Sequence, residues 1–196
     1  AIRIPQRAAL PTEDEIAAQL VVARDRIGDW PGAAPPEGAF VPADGSRFVS
    51  NVVFMGMGEP LMNWEAVDAT LTVLNDPRGF GIGARHITVS TVGIVPRLAD
   101  LARRPEQFRL ALSLHAPTHE QRLTLMPVER KFRLEQVLEA LQAFRRRVTF
   151  EYIMIRGLND APADADRLAA IARPLGAHVN LLPLHPGGTP GLAPTP

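Results

Sequence analysis

Polar residues that could bind a ligand recur just after the apolar segments of this sequence. The first is Glu59, which follows the apolar run 51–57 and lies between Gly58 and Pro60. A short continuous apolar run that ends at chain breakers predicts a buried strand. In α/β folds, ligands bind beyond the carboxyl ends of the strands, so Glu59 lies where a ligand is expected. Gly58 would let the backbone approach that ligand closely.

Four more polar residues fall at the ends of later predicted strands: Ser90, Ser113, His115 and His185. Together with Glu59 they would form a convergent polar set on one rim. A carboxylate could accept from an ammonium group, serine hydroxyls could donate to a carboxylate or a ribose, and a histidine edge could face a base. The pattern therefore predicts a site for a zwitterionic or sugar-bearing ligand.

Each of these residues also has a purely structural interpretation. Glu59 could be an acid that the positive end of a helix favours. Ser113 could fit a crowded interior because it is small, and a lone His115 is more often a hydrogen-bonded structural residue. Glu151 lies in the middle of a strand and needs a partner if buried, so we interpret it as part of a polar layer, with substrate contact as the second possibility. Because the set falls on successive strands, the functional interpretation is favoured.

The elements that must position these residues alternate between strands and helices. A capping box formed by Thr12 and Glu15 starts the first helix. Apolar or alternating runs predict five strands, at 51–57, 86–91, 109–115, 148–155 and 179–184. Helix signals between the strands provide connections long enough for parallel pairing. The sequence thus predicts a parallel α/β fold, either a barrel or an open sheet, and one that lacks its first strand because the first helix has no strand before it.

Composition sets limits on the class of protein. A chain of 196 residues fits one domain, 1–196, with a loop or insertion at 29–47 and a tail at 186–196. No apolar run reaches the length of a membrane span and no signal peptide is visible, so we expect a soluble globular protein. We further expect it to be cytoplasmic and monomeric, with no membrane contact. The formal net charge of zero argues against binding nucleic acid by bulk electrostatics, although a local patch could do so.

Five segments of this sequence, in this order and at this spacing, resemble one enzyme family. They are Phe54–Leu61, Ile87–Thr91, Ser113–Pro117, Phe150–Tyr152 and Asn180–Pro183. The family is that of the radical SAM 23S rRNA adenine methyltransferases, for which Met-Gly-Met-Gly-Glu-Pro is nearly diagnostic. The resemblance implies an incomplete parallel (β/α) barrel that binds S-adenosylmethionine (SAM) and a [4Fe-4S] cluster. It also implies methylation of a ring carbon of adenine in 23S rRNA. The sequence favours C2 over C8 as that carbon without deciding between them, and it leaves open whether tRNA is a second substrate.

The resemblance also assigns the cofactor contacts to individual residues. Those that would bind SAM are Gly58, Glu59, Ser90, Ser113, Leu114, His115 and His185. Two positions depart from the family pattern, since His185 and Glu129 stand where the family commonly has asparagine. Recognition of adenine at the last strand is therefore the assignment that this sequence supports least directly.

Cysteine is the larger departure, because the sequence contains none. In the family, a Cys-x3-Cys-x2-Cys segment that binds the cluster precedes the helix that starts here at Thr12, and a methyl-accepting cysteine follows the last strand. Both regions fall outside this sequence. We therefore assign no catalytic residue and no metal ligand within it, and expect the 196-residue chain by itself to be inactive.

Two other functions fit the same residues. One is a non-catalytic barrel that binds SAM or a nucleotide, and the absence of upstream cysteines in the flanking reading frame would favour it. The other is a metal-dependent barrel enzyme that uses Glu59, His115, Glu151 and His185, and it would bind divalent metal stoichiometrically.

Overall fold

The structure is a computed structural model, and it describes residues 10–30, 37, 48–56, 58–144, 146–185 and 192–195. The chain forms two compact units, the first made of 1–52 and 63–87 and the second of 53–62 and 88–196. Most of the predicted loop at 29–47 and of the predicted tail at 186–196 lies outside the described residues. That the whole chain is one domain stays a prediction.

The first unit contains two helices that pack against each other, α1 (Glu13–Ile27) and α2 (Trp64–Asn75). The predicted capping box starts α1. The Thr12 hydroxyl accepts from the Glu15 N–H at 3.3 Å, and the Glu15 carboxylate accepts from the Thr12 N–H at 3.1 Å. Gly28 ends the helix in the left-handed conformation, with φ of 63°.

The second unit contains most of a five-stranded sheet, with helices between the strands. The strands are β1 (Val52–Phe54), β2 (Ile87–Thr91), β3 (Arg109–Ser113), β4 (Val148–Met154) and β5 (His178–Pro183). The helices are α3 (Val95–Arg103), α4 (His119–Leu125), α5 (Leu134–Gln142) and α6 (Pro162–Ala172). In the described part of the chain no helix has the length and apolar content needed to cross a membrane.

The strands follow one another in the order β1-β2-β3-β4-β5, and β2 to β5 pair in parallel. A doubly wound open sheet reverses its strand order at a switch point, whereas a (β/α) barrel does not. The sequential order therefore favours a barrel type of sheet over an open one. The predicted parallel α/β fold is confirmed.

The first strand is shorter and more exposed than the sequence predicts. β1 ends at Phe54, three residues before the predicted end at Met57. The side chains of Val53 and Met55 are 51% and 59% exposed, so the prediction of a fully buried strand was wrong here. Gly58, which follows the strand, has a φ of 125° and leaves the extended conformation.

The two faces of the sheet differ in chemistry, because residues paired across parallel strands point to the same side. One face forms the core, with five side chains that are at most 1% exposed: Val89, Leu110, Leu112, Val148 and Phe150. The opposite face carries two rows of small or polar residues: Ser90, Ala111, Thr149 and His178, then Ser113, Glu151 and Asn180. The polar face is therefore the one that can receive a polar ligand.

Candidate functional site

Gly58 forms the turn between β1 and Glu59. Its φ of 125° is a conformation that residues with a side chain rarely adopt. A Cβ at this position would meet no described atom within 4 Å. The backbone conformation, and not lack of space, therefore selects glycine, and the exposed peptide here is open to a ligand.

The Glu59 carboxylate binds three protein groups. Its Oε1 accepts from the Thr91 hydroxyl at 2.7 Å and from the Leu61 N–H at 3.0 Å, and its Oε2 accepts from the Val92 N–H at 2.7 Å. These bonds tie the segment after β1 to the end of β2. Since a carboxylate offers about four acceptor sites, one remains for a ligand donor. Sequence reasoning missed this anchoring role, for which Thr91 at the end of β2 was the available signal.

A buried ion pair holds the Val92 peptide from its other side. Arg122 donates through Nη2 to the Val92 carbonyl and through Nη1 to Oε2 of Glu129. Both charged side chains are 0% exposed. Oε1 of Glu129 also accepts from His119 Nδ1 and from the Leu134 N–H, each at 2.7 Å. Both oxygens of the Glu129 carboxylate are thus bonded within the protein. The sequence did not indicate this role.

Ser90 and Ser113 lie on the polar face near the ends of β2 and β3. Ser90 is 7% exposed and Ser113 is half-buried. Ser113 pairs in register with Glu151, whose carboxylate accepts from Asn180 Nδ2 at 2.8 Å. Glu151 therefore has a partner on β5, as expected for a member of a polar layer.

His115 lies in a three-residue turn just after β3, in which the Ala116 N–H donates to the Leu114 carbonyl at 2.8 Å. Its φ is 54°, and among the described residues no other non-glycine residue has a positive φ. The ring accepts at Nδ1 from the Ile153 N–H at 3.2 Å. Burial, and secondly the charge of Arg122, lowers the pKa of His115 to about 4, so the ring is neutral at pH 7.

The other two predicted contacts differ in burial. Leu114 is completely buried and packs in the core, while its N–H donates to the Glu151 carbonyl at 3.0 Å. Leu114 could therefore contact a polar ligand only through its backbone. His185 lies two residues beyond β5 and is exposed, and its role toward adenine stays a prediction.

The residues that are described offer neither a metal site nor cluster ligands. No group of three or more His, Asp or Glu side chains among them could hold a metal ion. The metal-dependent alternative on Glu59, His115, Glu151 and His185 therefore lacks its ligand cluster. The sequence has no cysteine, so a [4Fe-4S] cluster does not fit the residues present either.

An apolar cavity of about 300 Å³ lies on the opposite side of the sheet, between β4, β5 and α6. Its lining includes Tyr152, Leu168, Val179 and Leu181. Tyr152, Val179 and Leu181 point to the core face of the sheet, away from Ser113 and Glu151. This cavity is therefore separate from the polar strand ends.

Parallel strands in sequential order, with polar groups gathered at their carboxyl ends, define a (β/α) barrel type of enzyme core. Residues 44–169 match the radical SAM superfamily, to which the chain belongs. The predicted fold class, an incomplete parallel barrel of the radical SAM type, is confirmed.

Within this superfamily, the chain is similar in sequence to curated proteins named as RNA methyltransferases. A probable dual-specificity RNA methyltransferase RlmN from Gemmatimonas aurantiaca is 61% identical over 146 residues, which cover 74% of this chain and 41% of the relative. A dual-specificity RNA methyltransferase RlmN from Methylobacterium sp. is 49% identical over 177 residues, covering 88% of this chain and 41% of that relative. The chain thus spans less than half the length of these curated relatives.

Solved structures agree with this fold. A radical SAM methyltransferase from Sphaerobacter thermophilus matches with a TM-score of 0.80 at 38% identity, over 95% of this chain and 51% of that one. A domain of the pyruvate-formate lyase-activating enzyme from Bacteroides vulgatus matches with a TM-score of 0.55 at 20% identity, which shows the fold alone.

Proposed function

We propose that this chain is the SAM-binding core of a radical SAM RNA methyltransferase. The observation that carries the proposal is the placement of Gly58–Glu59, Ser90 and Ser113–His115 at or next to the carboxyl ends of three consecutive strands. Barrels bind their ligands at this edge. The names of the relatives supply the reaction class, which is methyl transfer to RNA.

SAM carries an ammonium group, a carboxylate and an adenosine, and the residues at the strand ends suit those groups. The remaining acceptor site of Glu59 suits the ammonium group, and the hydroxyls of Ser90 and Ser113 suit the carboxylate or the ribose. His115 and His185 offer ring nitrogens to a base. When bound, SAM supplies the transferred carbon, and these residues bind and orient it.

The complete reaction also needs a [4Fe-4S] cluster. A cysteine-free chain has no thiolate for one. Methyl transfer therefore requires cluster ligands from outside these 196 residues, and we expect the chain by itself to be inactive.

We further propose that the target is an adenine ring carbon, C2, of 23S rRNA, with tRNA as the second substrate. The words "dual-specificity" in the names of the relatives support two kinds of RNA substrate. Arg130 and Lys131 are exposed in the connection between α4 and α5, and we propose that they contact phosphates. An RNA substrate of this kind also supports a cytoplasmic location.

Calorimetric titration of the 196-residue chain with SAM tests the proposal. Ser113→Ala should weaken binding about two- to tenfold, because one neutral hydrogen bond is lost. Thr124→Ala is the matched control, since Thr124 is exposed on α4 and its hydroxyl donates to the Gln121 carbonyl of the same helix at 2.7 Å. No measurable SAM binding by the wild-type chain, or equal effects of both substitutions, would contradict the proposal.

A second candidate is a non-catalytic barrel that binds SAM, for which the same residues at the strand ends would suffice. The reading frame around this sequence separates the two candidates, because the methyltransferase requires a Cys-x3-Cys-x2-Cys segment before Thr12. A protein with that segment should methylate a 23S rRNA fragment, and mass spectrometry of the digested RNA should find the group on adenine. Binding of SAM without that segment would support the second candidate.

A further inference from the structure

The side chain of Asn159 links the loop after β4 to the turn that contains His115. Its Nδ2 donates to the His115 carbonyl at 2.6 Å and to the Ile153 carbonyl at 2.7 Å. Its Oδ1 accepts from the Ile155 N–H at 2.7 Å. Both hydrogens of the amide and its oxygen are therefore used within the protein.

The side chain of Asn159 is 2% exposed, and its amide nitrogen and oxygen are already bonded within the protein. The Tyr152 hydroxyl donates to its backbone carbonyl at 2.7 Å, which fixes the loop further. Asn159 thus acts on the site through the residues it bonds. Two of them, His115 and Ile153, are the partners in one hydrogen bond.

The bond between these two partners sets the orientation and the tautomer of the His115 ring. Since the Ile153 N–H donates to Nδ1 at 3.2 Å, Nδ1 must carry a lone pair. The neutral ring therefore has its proton on Nε2. Among the described residues none accepts from Nε2, so within that part of the chain this N–H is left to donate to a bound ligand.

The left-handed conformation of His115 is what brings the ring to Ile153. A φ of 54° is unfavourable for histidine and persists where surrounding bonds impose it. The bond from Asn159 to the His115 carbonyl is such a bond, and the same amide fixes the Ile153 peptide at the other end.

We propose that Asn159 is a positioning residue of the ligand site: it holds His115 in the left-handed turn so that the ring presents Nε2–H to a hydrogen-bond acceptor of the bound ligand. The inference rests on the proposed function, because it takes SAM, with its carboxylate, ribose oxygens and adenine nitrogens, as that ligand.

The test compares Asn159→Asp with Tyr152→Phe in the 196-residue chain. Asn159→Asp keeps the shape of the side chain but places a carboxylate oxygen against two carbonyl oxygens, so His115 should be released. Tyr152→Phe removes a buried hydrogen bond from the same loop without touching His115, which makes it the matched control.

Two measured quantities are expected to change in Asn159→Asp and not in Tyr152→Phe. Long-range ¹H–¹⁵N NMR spectra of the His115 ring should no longer show a single tautomer with its proton on Nε2. Calorimetry should show that SAM affinity falls at least tenfold. Tyr152→Phe should keep both readouts close to wild type although it lowers stability. An unchanged His115 pattern in folded Asn159→Asp, or unchanged SAM affinity, would overturn the inference.

A wild-type measurement covers the case in which Asn159→Asp does not fold. A hydrogen-bond scalar coupling between the Ile153 amide nitrogen and His115 Nδ1 is expected, and its absence would overturn the inference. If the wild-type chain showed this coupling and the fixed tautomer but bound no SAM, the proposed function would fail while the positioning of His115 stood.

Discussion

At the scale of single residues, groups predicted to face a ligand also hold the protein together. Glu59 accepts from Thr91, Val92 and Leu61, and His115 accepts from Ile153. Substitutions at these positions therefore change stability as well as ligand binding, and the two effects need separate measurements.

Glu59→Gln should lower the free energy of unfolding by about 1 to 3 kcal/mol. The amide nitrogen that replaces one carboxylate oxygen cannot accept a hydrogen bond. It therefore removes the acceptor either of the Val92 N–H or of the Leu61 N–H and the Thr91 hydroxyl. Urea denaturation followed by circular dichroism measures the change. Glu139→Gln, at an exposed position of α5, is the control and should change stability by less than about 0.5 kcal/mol. Equal stabilities of the two variants would show that Glu59 has no anchoring role.

Protonation of His115 should make stability depend on pH. In the folded chain the pKa of His115 is lowered to about 4 from the ordinary value of 6.5. Between these values the unfolded chain binds the extra proton and the folded chain does not, so the contribution of His115 to stability falls as the pH is lowered from 6.5 to 4.

The measurement is a series of urea titrations from pH 7 to pH 4.5 on the wild type and on His115→Asn, because asparagine tolerates the left-handed conformation best. The difference in unfolding free energy between the two should shrink as the pH falls. Parallel curves would mean that His115 titrates normally in the folded chain.

At the scale of elements, Gly93 shows how closely the loop after β2 packs on α5. Its φ is 98°, and a Cβ would lie 2.9 Å from both methyl carbons of Val137. Gly93→Ala should therefore combine backbone strain with overpacking and cost roughly 2 to 4 kcal/mol of stability. Gly157→Ala is the control, since its φ is 71° with no described atom within 4 Å of its Cβ. It should cost only the strain, about 1 to 2 kcal/mol.

A double-mutant cycle checks the cause of the Gly93 effect. If the clash with Val137 is responsible, Gly93→Ala combined with Val137→Ala should cost less than the sum of the two single changes. Additive effects would attribute the whole loss to the backbone conformation.

The buried pair of Arg122 and Glu129 joins α4 and the start of α5 to the loop after β2. Arg122→Met should destabilise the chain by about 3 to 5 kcal/mol, because it leaves Glu129 charged and buried without its cation. Arg133→Met is the matched control, since Arg133 forms an ion pair with Glu135 in which both side chains are more than half exposed. It should change stability by less than about 1 kcal/mol. Similar losses in thermal or urea unfolding for the two variants would contradict a special role of the buried pair.

At the scale of the whole molecule, the chain brings candidate ligand-binding groups to the strand ends but has no cysteine to bind a cluster. Anaerobic reconstitution with iron and sulfide should therefore give no stable [4Fe-4S] optical or EPR signal and no 5′-deoxyadenosine from SAM, because no thiolate is present. The Sphaerobacter thermophilus radical SAM methyltransferase, treated in the same way, is the positive control. A stable cluster on this chain would overturn our interpretation of the missing cysteines.

The sequence by itself determined the features that depend on near neighbours along the chain. The capping box joins Thr12 and Glu15, which are three positions apart, and apolar patterns placed the five strands within a few residues. Such interactions act over one helical turn or one strand, so the order of residues encodes them directly. From them also followed the parallel α/β class and the strand ends as the candidate site.

The tertiary structure decided which partners these residues meet. Glu59 reaches Thr91 across 32 positions, Arg122 reaches Val92 across 30, and Asn159 reaches His115 across 44. Contacts of this kind depend on strand register and loop conformation, which no local pattern specifies. For the same reason, the sequence could identify His115 as a candidate but could not indicate its left-handed turn or the amide that holds it there.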